Sequence, residues 1–311
     1  MSSATAIELN SNGTSAASPK SSASLLVINT RNEVLMVLRN QTSWSGSFVF
    51  PGGNYDETQD TSFKATAVRE TFEETGILLA SESQRENSET KSAVIQEKIS
   101  NLRRVIHMQQ SALKYLLDHY GLYINEDRIY PFTEWVSPRE LRRRWHTRFF
   151  VTFIDKDTTK ITGARIPTST ESNREIAEVR FIHISEAIKS FNRKELSILT
   201  PQLYLLRTLS GIIGDSVIST NEEREKIREL ALGDFGRMTL NPITIYPRPN
   251  VTKERTYLYE GDEARGGPKG CLHRNVNTFD QDGLLVEDKL YRTFDVFSSI
   301  DPRWLSKPAR L

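Results

Sequence analysis

The stretch that most constrains this chain is residues 69–77, which reads RETFEETGI. Residues three and four apart lie on one face of a helix, so Glu70, Glu73 and Glu74 project together. Carboxylates crowded on one turn repel one another, and a hard divalent cation with oxygen ligands removes that repulsion. Arg69 lies four residues before Glu73 and can pair with it. The alternative is that the three glutamates form a solvated acidic face.

A glycine turn lies just upstream of this predicted helix. The apolar run at residues 48–50 leads into Pro51, Gly52 and Gly53. Glycine lets backbone amides and carbonyls approach a metal ion or a phosphate closely, so Gly53 is a candidate residue of a metal site. Gly76 is predicted to end the helix in a left-handed conformation. A strand, a glycine turn, a short loop and a carboxylate helix together indicate a site for a metal ion and a phosphate.

This order of features resembles the box of the Nudix hydrolases, G-x5-E-x7-R-E-U-x-E-E-x-G-U, in which U is aliphatic. The second half of the box matches at Arg69, Glu70, Glu73, Glu74, Gly76 and Ile77. Thr71 stands where an aliphatic residue is usual. In the first half the early glutamate of the box falls on Gln59, and Arg69 comes two residues late. The loop is therefore longer than usual, and its acidic residues are Asp56, Glu57 and Asp60.

The resemblance implies an α/β (α+β) fold of the Nudix type, with a mixed sheet sandwiched between helices. It implies hydrolysis of a diphosphate with the help of Mg²⁺ or Mn²⁺. Glu70, Glu73 and Glu74 would hold the ion together with Gly53, and Arg69 would complete the catalytic group. Glu70 is the helix carboxylate that we expect to accept the proton of the attacking water. Carboxylates this close together raise one another's pKa when no metal is bound.

The composition places the chain among soluble proteins with an ordinary core. Hydrophobic residues make up 37% and charged residues 26% of the 311 residues. The net charge of +1 gives no indication of bulk electrostatic binding to nucleic acid or to an anionic membrane. No apolar run approaches the roughly 20 residues needed to span a bilayer. Cys271 is the only cysteine, which excludes an intrachain disulfide and fits a reducing compartment.

Changes of composition along the chain suggest five segments. The first residues are rich in Ser, Ala, Thr and Asn and poor in large apolar side chains, which is typical of disorder. Two amphipathic patterns follow the box, where a minimal Nudix fold would continue to its next strand. We expect a disordered tail over 1–23, the first part of the Nudix domain over 24–80, a helical insertion over 81–130, the second part of the domain over 131–213, and a C-terminal extension over 214–311.

A second region extends the resemblance to one branch of the family. Residues 135–150 are similar to the W-x-T-P and R-R-F-D-T-x-F-F motifs of the eukaryotic peroxisomal acyl-coenzyme A diphosphatases. His146 stands where that motif has aspartate, and it is either a general base or a structural residue. Arg143 and Arg144 are candidates for phosphate contacts, because arginine forks suit phosphate oxygens. Arg39 ends a predicted strand and is either solvated or a further phosphate contact.

The resemblance implies a small-molecule substrate, coenzyme A or an acyl-coenzyme A, with adenosine 3′,5′-bisphosphate and a phosphopantetheine as products. Two alternatives remain open: the same chemistry on ADP-ribose or a dinucleotide, and a Nudix fold that binds a nucleotide without cleaving it. Nudix folds commonly place a further acidic ligand or base late in the domain, and Glu171 and Glu175 are the candidates here. The oligomeric state is left open.

The last residues, Ala309, Arg310 and Leu311, are small, basic and leucine. This pattern is similar to the Ser-Lys-Leu type of peroxisomal address, which an import receptor reads. The sequence therefore predicts a peroxisomal location and an import receptor as a partner, with a mitochondrial or a cytoplasmic location as the alternative.

Overall fold

The computed structural model describes residues 18–40, 45–82, 113, 117–118, 121–154, 176–246, 253–298 and 300. Several expectations lie outside these residues. They are the first amphipathic pattern after the box, most of the second, in which only residues 113, 117 and 118 are described, Glu171, Glu175, and the terminal Ala309, Arg310 and Leu311. In the described part of the chain, no helix combines the length and the apolar character needed to cross a membrane.

An eight-stranded mixed sheet forms the centre of the molecule. Its strands are β1 (Lys20–Ile28), β2 (Glu33–Arg39), β3 (Phe48–Val49), β4 (Gly52–Asn54), β7 (Tyr130–Val136), β8 (Trp145–Phe153), β9 (Ile176–His183) and β10 (Thr239–Leu240). A separate two-stranded pair joins β5 (Ser81–Glu82) to β6 (Leu122–Tyr123). Strands β10, β7, β8, β1, β2 and β3 follow one another across the sheet, while β4 pairs with β1 and β9 with β2.

Two apolar runs joined by a short turn are typical of a hairpin, but strands β1 and β2 do not form a simple one. They pair at the turn, where Ile28 lies opposite Val34, and then separate. Strand β1 continues beside β8 in parallel from Lys20 to Ile28, and β2 pairs with β9. The apolar pattern determines that both segments are strands, but the partner of each strand is determined by packing across the whole sheet.

Helices cover both faces of this sheet. Leu25 and Val27 of β1 lie in the core beneath helix α1 (Phe63–Thr75). Leu26 and Ile28 alternate with them and lie in the core on the opposite face. A strand that is buried on both sides has a continuous apolar sequence, as 25–28 does. The predicted mixed sheet between helices is therefore confirmed.

Helix α1 begins after a serine cap and ends at the predicted glycine. Ser62 caps the first turn by accepting a hydrogen bond of 3.0 Å from the amide of Ala65. Gly76 follows the last turn with φ of 77° and donates its amide to Phe72. A residue with a side chain is strained at that φ, so Gly76 ends the helix and sets the position of its last carboxylates.

The opposite face of the sheet is covered by helices from the second half of the chain. They are α2 (Ile184–Asn192), α3 (Thr200–Ile213), α4 (Asn221–Leu232) and the single turn α5 (Asp234–Arg237). The sequence Thr200-Pro201 is typical of a cap followed by a first helical residue, but Leu199 occupies the cap position of α3 and makes no side-chain hydrogen bond there. The hydroxyl of Thr200 instead accepts a hydrogen bond from Asn277, so tertiary contact replaced the local cap.

The C-terminal residues add a strand to the central sheet and then form a second sheet. Strand β10 pairs in parallel with β7. The second sheet is antiparallel, in the order β11 (Ile243–Ile245), β12 (Glu254–Leu258), β13 (His273–Phe279) and β14 (Leu285–Arg292). Trp135 of the central sheet packs edge-on against Tyr204 of α3 and Tyr259 after β12, at ring distances of 5.6 and 5.2 Å. The division of the chain at 213 stays a prediction.

Candidate active site

The glycine turn is held against the central sheet by backbone pairing. In strand β4, Gly52 lies opposite Ser24 and Gly53 opposite Ala23. A Cβ added at Gly52 would strike the backbone of Ala23 and Ser24. Strand β4 can therefore lie this close to β1 only because residue 52 is glycine. A Cβ added at Gly53 would strike the carboxylate of Glu70 instead. The first glycine therefore serves the fold, and the second leaves room for a carboxylate.

Arg69 is the centre of the charged cluster beside this turn, although it is only 4% exposed. Its Nε and Nη2 atoms donate to the two carboxylate oxygens of Asp60 at 2.8 and 2.9 Å. Its Nη1 atom donates to Glu70 at 2.9 Å and to Glu73 at 3.0 Å. The predicted pair between Arg69 and Glu73 is thus present. Arg69 also donates to the carbonyl of Asn54 at 3.1 Å, which joins the helix to the glycine turn.

Glu74 is held separately from the other two glutamates. Its Oε2 atom accepts a hydrogen bond of 3.0 Å from the amide of Gly52. Its Oε1 atom lies 3.6 Å from Nη1 of Arg39, at the end of β2. Helix α1 is therefore attached to the turn at two points, through Glu74 to Gly52 and through Arg69 to Asn54.

The three glutamates are shielded from solvent, and this changes the acidity of one of them. Their side chains are 16%, 12% and 10% exposed at Glu70, Glu73 and Glu74. Burial raises the pKa of Glu70 to about 7, Arg69 opposes that rise, and Glu73 adds to it. Burial acts to lower the pKa of Arg69, but Asp60, Glu70 and Glu73 outweigh it and hold that pKa above its ordinary value.

The donor atoms of this cluster fit a hard divalent cation. Carboxylate oxygens are the ligands that such ions prefer, and the absent side chain of Gly53 leaves the space that the Glu70 carboxylate occupies. As placed, Glu70 and Glu73 both face Arg69. Within the described residues, no three histidine, cysteine or acidic side chains lie close enough together to hold one ion. To bind one ion together, the carboxylates of Glu70 and Glu73 would have to rotate away from Nη1 of Arg69, which now donates a hydrogen bond to each of them.

A cavity of about 880 Å³ begins at the glycine turn and extends over the face of the central sheet that is opposite to helix α1. It is bounded by the turn, by the connection between β7 and β8, by the start of α3 and by the second sheet. Of the residues predicted from the sequence, Gly53, Arg39, Arg143 and Arg144 line it. The glutamates of α1 are not among its described lining residues, but Glu70 lies beside Gly53 and Glu74 accepts a hydrogen bond from Gly52, and both glycines line the cavity.

His146 lies on a different face from the cavity. It is the second residue of β8, and its neighbours Trp145 and Thr147 are the ones that line the cavity. Its Nε2 atom lies 2.6 Å from a carboxylate oxygen of Glu134, which also faces Arg148 at 3.3 Å. The structure therefore does not bring His146 to the cavity and gives it a partner within the sheet.

Two contributions to the site were not assigned from the sequence. Asp60 was one of three acidic residues in the loop, and it proves to be the one that binds Arg69. The signal that could have found it is its position as the last acidic residue before the Ser62 cap. The second sheet was the other, since Arg255, Tyr257 and residues around Leu285 form a wall of the cavity. No local pattern of residues 253–285 indicates that role.

Comparison with known proteins agrees with this geometry. A family model described as the NUDT19 Nudix domain matches residues 57–209. The putative nudix hydrolase 7 of Caenorhabditis elegans is 25% identical over 199 residues, which are 62% of this chain and 61% of that protein. The acyl-coenzyme A diphosphatase NUDT19 of Gallus gallus is 27% identical over 159 residues, which are 47% of this chain and 40% of that protein.

A solved structure, the NUDIX hydrolase from Alicyclobacillus acidocaldarius, aligns with 61% of this chain and 90% of its own, with a TM-score of 0.49 and 20% identity. The resemblance rests on the family model, whose match includes the carboxylate helix. Residues 57–209 therefore match a Nudix domain, and the chain is similar to the Nudix hydrolases.

Among the Nudix hydrolases, the chain is most usefully compared with the acyl-coenzyme A diphosphatase branch, which it resembles. It aligns with less than two thirds of the length of either curated relative. Nudix hydrolases generally use divalent metal ions, in agreement with the donor atoms described above.

Proposed function

We propose that this protein hydrolyses the diphosphate bond of a nucleoside-diphosphate-linked substrate, with coenzyme A or an acyl-coenzyme A as that substrate. The observation that carries the proposal is the placement of three shielded glutamates on one helix that is attached to a glycine turn at the edge of a large cavity. The likeness to a relative named as an acyl-coenzyme A diphosphatase supports the choice of substrate.

The side chains of the site divide the work of the reaction. Glu70, Glu73 and Glu74 would hold Mg²⁺ or Mn²⁺, and Gly53 gives them room. When bound, the ion supplies positive charge against the phosphoryl oxygens and makes a water molecule more acidic. Arg69 holds Glu70 and Glu73 in position from its buried attachment to Asp60. Catalysis of this kind is mainly positioning and charge stabilisation.

The proton and the phosphate have their own partners. Glu70 is the group that accepts the proton of the attacking water, because its carboxylate lies at the turn and its pKa is raised to about 7 by burial. Arg39, Arg143 and Arg144 line the cavity and offer guanidinium groups to the phosphate oxygens. The bond from phosphorus to the bridging oxygen breaks, and adenosine 3′,5′-bisphosphate and a phosphopantetheine leave the site.

The test is hydrolysis by the purified protein with Mn²⁺ of coenzyme A, ADP-ribose and NADH, with identification of the phosphorylated products. We expect cleavage of coenzyme A, with loss of about 100-fold or more in kcat for Glu73→Gln and Glu74→Gln. Glu57→Gln is the matched control, because Glu57 is an exposed glutamate of the neighbouring loop. Removing the metal with a chelator should stop the reaction in the wild type.

Each other outcome identifies an alternative. Cleavage of ADP-ribose or NADH in preference to coenzyme A would keep the chemistry and replace the substrate. Binding of nucleotide without cleavage of any of the three would leave a nucleotide-binding module. Equal activity in wild type, Glu73→Gln and Glu74→Gln would contradict the assignment of these residues as ligands.

A further inference from the structure

Arg255 is a buried cation in the wall of the cavity. It lies on strand β12 opposite Asn277, is 8% exposed, and places its guanidinium carbon 4.5 Å from the centre of the Phe279 ring. Its Nε atom has no hydrogen-bond partner among the described residues. No ion pair joins Arg255 to a carboxylate within that same part of the chain.

The polar neighbours of Arg255 do not neutralise its charge. Burial raises the pKa of Tyr257, and Arg255 opposes the rise, so this hydroxyl stays neutral. Glu140, on the connection between β7 and β8, accepts a hydrogen bond of 3.0 Å from Thr244. The ring of Phe279 offers a cation–π contact, which offsets only part of the loss of hydration.

A buried charge without a counterion is costly, and proteins normally pair such charges. Because Arg255 lines the cavity, a ligand in that cavity can supply the missing anion. The cavity as a whole carries a surplus of positive charge. Among the described residues, its lining contains one carboxylate, that of Asp282, and the basic residues Lys20, Arg39, Arg142, Arg143, Arg144 and Arg255.

We propose that Arg255 binds a phosphomonoester of the substrate that is distinct from the diphosphate being cleaved. The proposal rests on the proposed function for the identity of the substrate. In the proposed function the diphosphate binds beside Gly53 of the central sheet and Glu70 of α1, whereas Arg255 belongs to the second sheet and lies outside the matched residues 57–209. The planar fork of arginine matches phosphate oxygens, and a dianion suits a cavity with this surplus of cations. Arg255 is thus a specificity residue contributed by the C-terminal sheet.

The probes for this inference are adenosine 3′,5′-bisphosphate and adenosine 5′-monophosphate, which differ only in the second phosphomonoester. Their affinities for the full chain are measured by titration calorimetry, so no hydrolysis is needed. We expect the wild type to bind the bisphosphate at least about tenfold more tightly. Arg255→Met should bring the two affinities close together, and Arg255→Lys should keep part of the difference. Lys289→Met removes an exposed charge from the outer side of the same sheet and should keep all of it.

Thermal unfolding of the unliganded variants separates a ligand contact from a structural one. Replacing an unpaired buried cation by an apolar side chain should leave Tm unchanged or raise it. A marked fall in Tm for Arg255→Met would show that the protein itself satisfies the cation, and would overturn the proposal. Equal affinities of the wild type for the two probes, or a difference that survives in both Arg255 variants, would also overturn it.

The two proposals can fail separately. A wild type that distinguishes the probes through Arg255 but does not cleave coenzyme A refutes the proposed function and supports the role of Arg255. A wild type that cleaves coenzyme A but does not distinguish the probes refutes the role of Arg255 alone.

Discussion

Glu74 accepts a hydrogen bond of 3.0 Å from the backbone amide of Gly52. This contact joins the last turn of the carboxylate helix to a strand of the central sheet, so the helix cannot move independently of the turn. The adjacent glycine has a different neighbour, since its missing side chain leaves space for Glu70. Two consecutive glycines therefore carry separable roles.

Alanine substitutions should separate these roles. In Gly53→Ala the new methyl group meets only the flexible end of Glu70, so we expect a stable protein in which Glu70 is displaced and kcat falls about 100-fold. In Gly52→Ala the methyl group meets rigid backbone, so we expect a loss of about 1–3 kcal/mol in the free energy of unfolding. Urea denaturation and the coenzyme A assay on both variants measure the two effects. A large loss of stability in Gly53→Ala, with a loss of activity alone in Gly52→Ala, would contradict these two roles.

Removal of Asp60 should destabilise the fold as well as the site. Asp60 forms two hydrogen bonds to a buried guanidinium, and Asp60→Ala leaves Arg69 with part of its charge uncompensated. We expect a loss of about 3 kcal/mol in the free energy of unfolding, together with reduced activity because Arg69 no longer holds Glu70 and Glu73. Urea denaturation of wild type and Asp60→Ala measures the change in the free energy of unfolding. Glu222→Ala, which removes an exposed partner of Lys226, should not change the midpoint measurably.

His273 should make stability depend on pH. Burial lowers the pKa of His273 from 6.5 to about 3, and its Nε2 atom lies 2.9 Å from the hydroxyl of Tyr204. Below pH 6.5 the unfolded chain binds a proton that the folded imidazole refuses, so its contribution to stability falls as the pH drops from 6.5 toward 3. The slope is about 1.4 kcal/mol per pH unit.

This slope is measured as the difference between wild type and His273→Gln. The raised pKa of Glu70 acts in the opposite sense, because the folded chain takes up that proton first as the pH falls below 7, but both proteins share it. Relative to His273→Gln, the wild type should lose about 1 kcal/mol over the first pH unit below 6.5, and close to the full slope below that. A difference that does not change with pH would mean that His273 titrates normally in the folded state.

The C-terminal residues should be required for folding. Truncation after residue 213 removes β10 from the central sheet and exposes Trp135, which packs against Tyr259. We expect the shortened chain to lose the single cooperative transition that tryptophan fluorescence and circular dichroism report for the full chain. A chain ending at residue 300 keeps all four strands of the second sheet and should keep the transition. Cooperative unfolding of the shortened chain would instead support an independent domain ending at 213.

The carboxylate helix was predictable because the residues that define it lie close together in the sequence. Ser62 and Gly76 limit helix α1 by hydrogen bonds within one turn, and the spacing of Glu70 and Glu73 places both within reach of Arg69. The role of Asp60 was not predictable in the same way. Three loop acids were available, and only the path of the chain decides which one reaches a guanidinium nine residues later.

The sequence by itself determined the carboxylate helix, the glycine turn and the strands with continuous apolar runs, since each depends on contacts between residues near one another in the chain. Only the tertiary structure decided the partners of β1 and β2, the loss of the Thr200 cap, and the second sheet as a wall of the cavity. The physical reason is that these features arise between segments far apart in the chain, 77 residues for Thr200 and Asn277 and more for the strand partners, where packing and burial outweigh local preference.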